Sequence, residues 1–148
     1  MPNSVEFEAE KKSIILTGPN MGGKTCLSKM IALIVIMGQI GSFVPASFAQ
    51  FSPVDAIFTR MGAQDDIAKG QSTFFVELQE TSEILQEASE ESLIIMDELG
   101  RGTSTQDGVA IAYATLYYLI TDLRPFTIFI THYPEVGKIA DIFPERVF

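Results

Sequence analysis

The chain has 148 residues, a formal net charge of −9 and a single cysteine. This length predicts one domain that buries about 70% of its unfolded surface, and one cysteine excludes an internal disulfide or a cysteine-based zinc site. No run of lysines and arginines could follow a nucleic-acid backbone, and the longest apolar stretch, residues 30–37, is too short to cross a bilayer. We therefore expect a soluble intracellular domain that binds neither membrane nor, by itself, nucleic acid.

Short apolar runs alternate with helix-like segments along the chain. The runs 13–17, 56–60, 92–96 and 126–130 are almost continuously hydrophobic, which predicts strands that are buried on both faces. Helices are predicted at 25–39, 74–89 and 107–121, the second with a mostly apolar face at positions 74, 75, 78, 81, 85 and 88. This alternation predicts an α/β fold with a mostly parallel central sheet. Gly41, Pro45 and Pro53 interrupt residues 41–55, which we expect to form a loop or an irregular edge strand.

A phosphate-binding pattern follows the first predicted strand. It consists of Gly18, Pro19, Asn20, Met21, Gly22, Gly23, Lys24 and Thr25. In such a loop, backbone N–H groups and a helix N-terminus converge on one anion site, and the lysine reaches the β and γ phosphates of a nucleoside triphosphate. The threonine hydroxyl would bind a magnesium ion. A glycine-rich turn with a surface lysine is the alternative, but the strand, loop and helix occur in the required order.

Two acidic residues end the third predicted strand. Asp97 is expected to hold magnesium through the water shell of the ion, and Glu98 to act as the general base that polarises the attacking water. The ligands of parallel sheets bind beyond the carboxyl ends of the strands, where both residues are placed. The alternative is that the two acids only cap the following turn.

His132, the only histidine, directly follows the fourth predicted strand. Its imidazole could donate a hydrogen bond to a γ-phosphate oxygen or to the attacking water. A surface or packing role is the alternative for a lone histidine. Its position after a strand of the same sheet favours the functional interpretation.

Two polar loops precede predicted helices. In the first, residues 62–73, Ser72 or Thr73 is placed to cap the next helix, whose positive N-terminus also suits the γ-phosphate of a nucleotide on another subunit. The second, residues 100–105, contains two glycines and is flexible enough to pack against a second copy. Both loops are therefore predicted to lie at an interface.

The chain closely resembles the nucleotide-binding domain of the MutS family of DNA mismatch-repair proteins. The segments that carry this resemblance are Thr17–Lys24, Phe58–Ala63, Gln71–Phe74, Asp97–Thr105 and Thr131–Tyr133. The resemblance implies a P-loop NTPase with an ABC-type ATPase fold, in which two domains enclose two ATP molecules. It also implies that Asn20 contacts phosphate within its own site, and that Ser72, in the signature loop with Thr73, acts on the γ-phosphate of the partner.

The same resemblance sets the expected domain organisation. Residues 1–148 are expected to form one ATPase domain, without the mismatch-binding, connector, lever and clamp domains or the C-terminal dimerisation segment of the family. Mismatched DNA would then be bound through domains that this chain lacks. Residues 72–78 and 131–134 look more like the eukaryotic, heterodimer-forming homologues, which implies a nuclear protein; a cytoplasmic location is the alternative.

The expected function is magnesium-dependent ATP hydrolysis, with Lys24, Glu98 and His132 as catalytic residues and Thr25 and Asp97 at the metal. The resemblance implies that the site is completed by a second MutS-type ATPase domain, in a homodimer or a heterodimer. A nucleotide-binding fragment without independent turnover remains the alternative. A transporter ATPase is disfavoured because Gly70-Gln71-Ser72 does not supply the Leu-Ser-Gly-Gly-Gln signature of that class.

Overall fold

A computed structural model of the chain describes residues 3–19, 21–61 and 73–148. Four parallel strands form one sheet in the order β1-β4-β3-β2. The strands are β1 (Ser13–Leu16), β2 (Ile57–Met61), β3 (Leu93–Asp97) and β4 (Phe126–Ile130). The helices are α1 (Lys24–Gln39), α2 (Thr73–Glu87), α3 (Thr105–Tyr118), α4 (Pro134–Gly137) and α5 (Ile139–Ile142). The predicted α/β architecture with a parallel sheet is confirmed.

The sheet lies between two layers of helices, as the continuous hydrophobicity of its strands requires. All five residues of β3 are buried. Leu93 and Ile95 pack with the α1 side of the core, whereas Ile94 and Met96 pack with α2, α3 and α5 on the opposite side. Because side chains alternate along a strand, each strand contributes to both cores. This packing fixes the carboxyl edge of the sheet, where the polar residues lie.

Glycines flank helix α1 on both sides. Gly23 is the N-cap residue, and Gly41, which follows the C-cap, has the positive φ of +76° typical of a helix end. Residues 41–55 contain no strand, so the loop prediction is confirmed for this segment. The side chain of Gln39 ties the loop to the helix, since it accepts from the Val54 N–H at 2.7 Å and donates to the Val54 carbonyl at 3.2 Å.

The apolar face predicted for α2 is wrong in part. Phe75 is 56% exposed, whereas Glu77 is only 4% exposed. The buried positions are Glu77, Thr81 and Ile84, at helical spacing. Glu77 takes a core position because a guanidinium and a backbone N–H compensate its charge there, as described below.

Helix α3 starts two residues before the predicted position. Ser104 is its N-cap, because the Asp107 N–H donates to the Ser104 hydroxyl at 3.3 Å. Its regular part ends at Tyr118 and continues as one π-helical turn, Leu119–Leu123. Among the described residues, no helix has both the length and the apolar character needed to cross a membrane.

Candidate active site

The loop after β1 curves back on itself ahead of α1. Gly18, Met21 and Gly23 have φ values of +138°, +69° and +81°, in or near the left-handed region. Gly23 has no side chain that could accept a hydrogen bond from the first N–H groups of α1. These N–H groups carry the positive end of the helix dipole, so the loop and helix together form a place for an anion.

Lys24 folds over this loop. Its Nζ donates to the Gly18 carbonyl at 2.7 Å and to the Pro19 carbonyl at 3.0 Å. The ammonium group is therefore held within the curve of the loop. A cavity of about 520 Å³ lies here, lined by Gly22, Gly23, Lys24, Thr25, Asp97 and Glu98. The second half of the predicted phosphate-binding loop, residues 21–25, thus shares one cavity with the two acidic residues.

Thr25 and Asp97 meet across the carboxyl edge of the sheet. Thr25 Oγ1 donates to Asp97 Oδ2 at 2.6 Å, although the two residues are 72 positions apart in the chain. Hydroxyl and carboxylate oxygens are the ligands that Mg²⁺ prefers, and Mg²⁺ commonly completes its shell with water and substrate phosphates. No cluster of three or more His, Cys, Asp or Glu able to hold a metal occurs in the described parts of the chain. The pair therefore fits an ion that is shared with a phosphate.

Glu98 lies in a strained turn directly after β3. Its φ is +56°, in the left-handed region that a glutamate rarely occupies. Its N–H donates to the Ile130 carbonyl at the end of β4, at 2.9 Å. The carboxylate forms an ion pair with the guanidinium of Arg101. The turn thus presents Glu98 to the cavity that contains Lys24 and Thr25.

Gly100 closes this turn, and both its N–H and its carbonyl are hydrogen-bonded. Its N–H donates to Glu77 Oε1 at 3.1 Å, and its carbonyl accepts from the Tyr133 hydroxyl at 2.9 Å. A Cβ at Gly100 would lie 2.5 Å from the Gly108 carbonyl oxygen, and φ is +89°. Only glycine fits a turn packed this tightly against α3.

His132 follows β4 as predicted but faces a different space. Its side chain is exposed, and it lines a neighbouring cavity of about 560 Å³ together with Thr17 and Gly18. Its ring centroid lies 4.0 Å from that of Tyr133. Gly18 of the phosphate loop and His132 therefore line the same cavity. The role assigned to His132 stays a prediction.

Some predicted site residues cannot be placed. Asn20 and the segment 62–72, which includes Ser72, lie outside the described residues. Thr73 is described: it is the first residue of α2 and is exposed. The role of the signature loop on a partner therefore stays a prediction for both Ser72 and Thr73.

Sequence reasoning did not identify Glu77 or Tyr133 as site residues. A signal for Glu77 was available, because Arg60 interrupts an apolar strand and a buried guanidinium needs an acidic partner. Arg60 Nη2 lies 3.5 Å from Glu77 Oε1, and both residues are buried. Burial, and next the charge of Glu77, raise the pKa of the Tyr133 hydroxyl above its usual value. That hydroxyl therefore stays protonated and able to donate to Gly100.

The chain is similar in sequence to known proteins over almost its whole length. The family model for MutS domain V matches residues 14–146. The chain is 55% identical over 148 residues to DNA mismatch repair protein Msh3 of Homo sapiens and to DNA mismatch repair protein MSH3 of Arabidopsis thaliana. It is 54% identical over 147 residues to Msh3 of Mus musculus. Each alignment covers 99% of this chain but only 13 or 14% of the relative.

The chain thus spans about one seventh of the length of these relatives. Their eukaryotic origin confirms the resemblance that residues 72–78 and 131–134 indicated. The family model covers almost the whole chain, including the loop after β1, the acidic pair at the end of β3 and the histidine after β4. The chain therefore belongs to the MutS family, and it corresponds to MutS domain V.

Proposed function

We propose that this chain is a P-loop ATPase module that binds ATP with Mg²⁺ and hydrolyses it when paired with a second MutS-type ATPase domain. One observation carries the proposal. The Thr25 hydroxyl donates a hydrogen bond of 2.6 Å to the Asp97 carboxylate at the end of β3. This pair lies beside the curved loop that leads into the N-terminus of α1. Lysine, hydroxyl and carboxylate in this arrangement suit a triphosphate with its metal.

Binding is assigned to the loop from Gly18 to Thr25. Its N–H groups and the ammonium of Lys24 would compensate the negative charge of the β and γ phosphates. Lys24 would exchange its two bonds with loop carbonyls for bonds with phosphate oxygens. Thr25 and Asp97 would hold Mg²⁺, which when bound neutralises charge on the phosphate oxygens.

Hydrolysis is assigned to residues around the same cavity. Glu98 would accept a proton from the water that attacks the γ-phosphorus, and the products would be ADP and phosphate. His132 would donate a hydrogen bond to a γ-phosphate oxygen. Ser72 and Thr73 would act on the nucleotide of the partner domain, so each of two paired domains would complete the site of the other.

The biological setting follows from the family. The relatives are DNA mismatch repair proteins by name, so we assign this module to mismatch repair in the nucleus. Contact with mismatched DNA would be made by other domains of such a protein, because the chain carries a net charge of −9. ATP hydrolysis would supply the energy for changes in those domains.

A second candidate function, nucleotide binding without independent turnover, is favoured by one contact. In the single chain, the guanidinium of Arg101 forms an ion pair with the carboxylate of Glu98. A carboxylate that is bonded to a guanidinium has fewer free acceptor positions for the attacking water. In that case a partner would have to displace Arg101 before hydrolysis could start.

Phosphate release measured over a range of protein concentrations separates the two candidates. With saturating ATP and Mg²⁺, the composite site predicts that turnover per chain rises with protein concentration, because pairing is second order. A constant turnover per chain would contradict the composite site. ATP binding without phosphate release at any concentration would support the second candidate.

A further inference from the structure

A carboxylate occupies a core-facing position of α2. Glu77 is buried at the start of the row Glu77, Thr81 and Ile84, which faces the rest of the domain. Burial of a carboxylate is costly unless charged or polar partners compensate it. The position of Glu77 is therefore explained by its partners.

Those partners belong to two other parts of the fold. Glu77 Oε1 accepts the Gly100 N–H at 3.1 Å and lies 3.5 Å from Arg60 Nη2 of β2. Arg60 also lies 2.9 Å from Glu80, measured from its Nε to Glu80 Oε2. Arg60 therefore has two acidic partners on α2, whereas the Gly100 N–H has Glu77. Glu80 shares the pairing with Arg60, whereas the Gly100 N–H is bonded to Glu77 and not to Glu80.

Gly100 is two residues from Glu98. The intervening Leu99 is fully buried, and the Glu98 N–H is fixed to the Ile130 carbonyl. The turn is thus held at one end by β4 and at the other by Glu77 and Tyr133. A turn with a left-handed glutamate persists only when its surroundings hold it in place.

We propose that Glu77 is a positioning residue, which ties helix α2 to the strained turn that carries Glu98. It acts through the Gly100 N–H and does not touch the substrate. The tie connects the first half of α2 with the turn that follows β3. This inference rests on the proposed role of Glu98 in hydrolysis.

Two substitutions separate the reach of the side chain from its charge. Glu77→Asp keeps the charge beside Arg60 but withdraws the carboxylate from Gly100 by one methylene. Glu77→Gln keeps the reach and an acceptor oxygen but removes the charge. Glu80→Gln is the matched control, because Glu80 pairs with Arg60 at 2.9 Å, whereas the Gly100 N–H is bonded to Glu77.

A positioning role predicts that Glu77→Asp lowers kcat for ATP hydrolysis by about 10- to 100-fold, the usual effect of misplacing a catalytic group by about 1 Å. KM for ATP should change little, because Lys24, Thr25 and Asp97 are untouched. Glu77→Gln and Glu80→Gln should keep kcat near that of the unsubstituted chain. A larger loss of kcat in Glu77→Gln than in Glu77→Asp, in parallel with a lower unfolding midpoint, would overturn the proposal. It would show that the charge of Glu77 stabilises the fold and does not position the turn.

Amide hydrogen exchange tests the tie without any turnover. In ¹⁵N-labelled protein, Glu77→Asp should accelerate exchange of the Gly100 and Glu98 N–H groups, whereas Glu77→Gln should not. Unchanged exchange at Glu98 in Glu77→Asp would overturn the tie. If no form of the chain released phosphate, the hydrolytic function would fail, and the exchange data would still decide whether Glu77 fixes the turn.

Discussion

Replacing Lys24 with alanine is expected to abolish ATP binding at ordinary nucleotide concentrations. Lys24 would make two charge-assisted hydrogen bonds to phosphate oxygens, each contributing about 1.5 to 3 kcal/mol. Their loss corresponds to an affinity that is about 10² to 10⁴ times weaker. Titration calorimetry of ATP with Mg²⁺ into the substituted and unsubstituted chains measures the difference directly.

Lys138→Ala is the matched control for this substitution. Lys138 is exposed and lines the neighbouring cavity, so the change in net charge is the same but the phosphate loop is intact. ATP affinity should be preserved in this variant. If Lys24→Ala bound ATP as tightly as Lys138→Ala, the assignment of the loop from Gly18 to Thr25 to the triphosphate would be wrong.

Replacing Glu98 with glutamine is expected to separate binding from hydrolysis. Glutamine has nearly the same size as glutamate but cannot take a proton from water, so ATP should still bind while turnover falls. General-base assistance typically accounts for about 10² to 10⁴ in rate. Steady-state phosphate release, together with ATP affinity from calorimetry, measures the two effects separately.

Glu91→Gln supplies the control for the loss of one negative charge. Glu91 is exposed in the turn before β3, at the end of the sheet opposite to the cavity. Its replacement should change neither affinity nor turnover. Unchanged turnover in Glu98→Gln would show that another group removes the proton.

The convergence of the site residues could be predicted because topology alone requires it. Thr25 follows β1 and Asp97 ends β3, and the carboxyl ends of parallel strands share one edge. The 2.6 Å bond between these residues is the result. The strands were equally predictable, since continuous apolar runs such as 92–96 suit a sheet that is covered on both faces.

The face of α2 could not be derived from hydrophobicity. Periodicity favoured Phe75 for the core, whereas the structure buries Glu77 beside Arg60. A hydrophobic pattern contains no information on which carboxylate will meet a buried guanidinium, because that depends on how β2 and α2 pack. The early start of α3 has a local cause, since the Ser104 hydroxyl caps a helix that begins at Thr105, two residues before the predicted boundary.

The position of His132 shows a further limit. The sequence placed it after β4, which is correct, but the direction of a side chain beyond a strand depends on the following turn. Pro134 starts α4 directly after Tyr133, and Tyr133 points inward to Gly100. The neighbouring His132 is exposed instead and lines the second cavity.

The most direct test of the proposed ATP site is a calorimetric titration of ATP into the unsubstituted chain, with Mg²⁺ and again with a chelator. The paired oxygens of Thr25 and Asp97 predict one ATP bound per chain, with an affinity that falls when Mg²⁺ is removed. Absence of binding, or an affinity that does not depend on Mg²⁺, would contradict the assignment of this cavity to ATP and its metal.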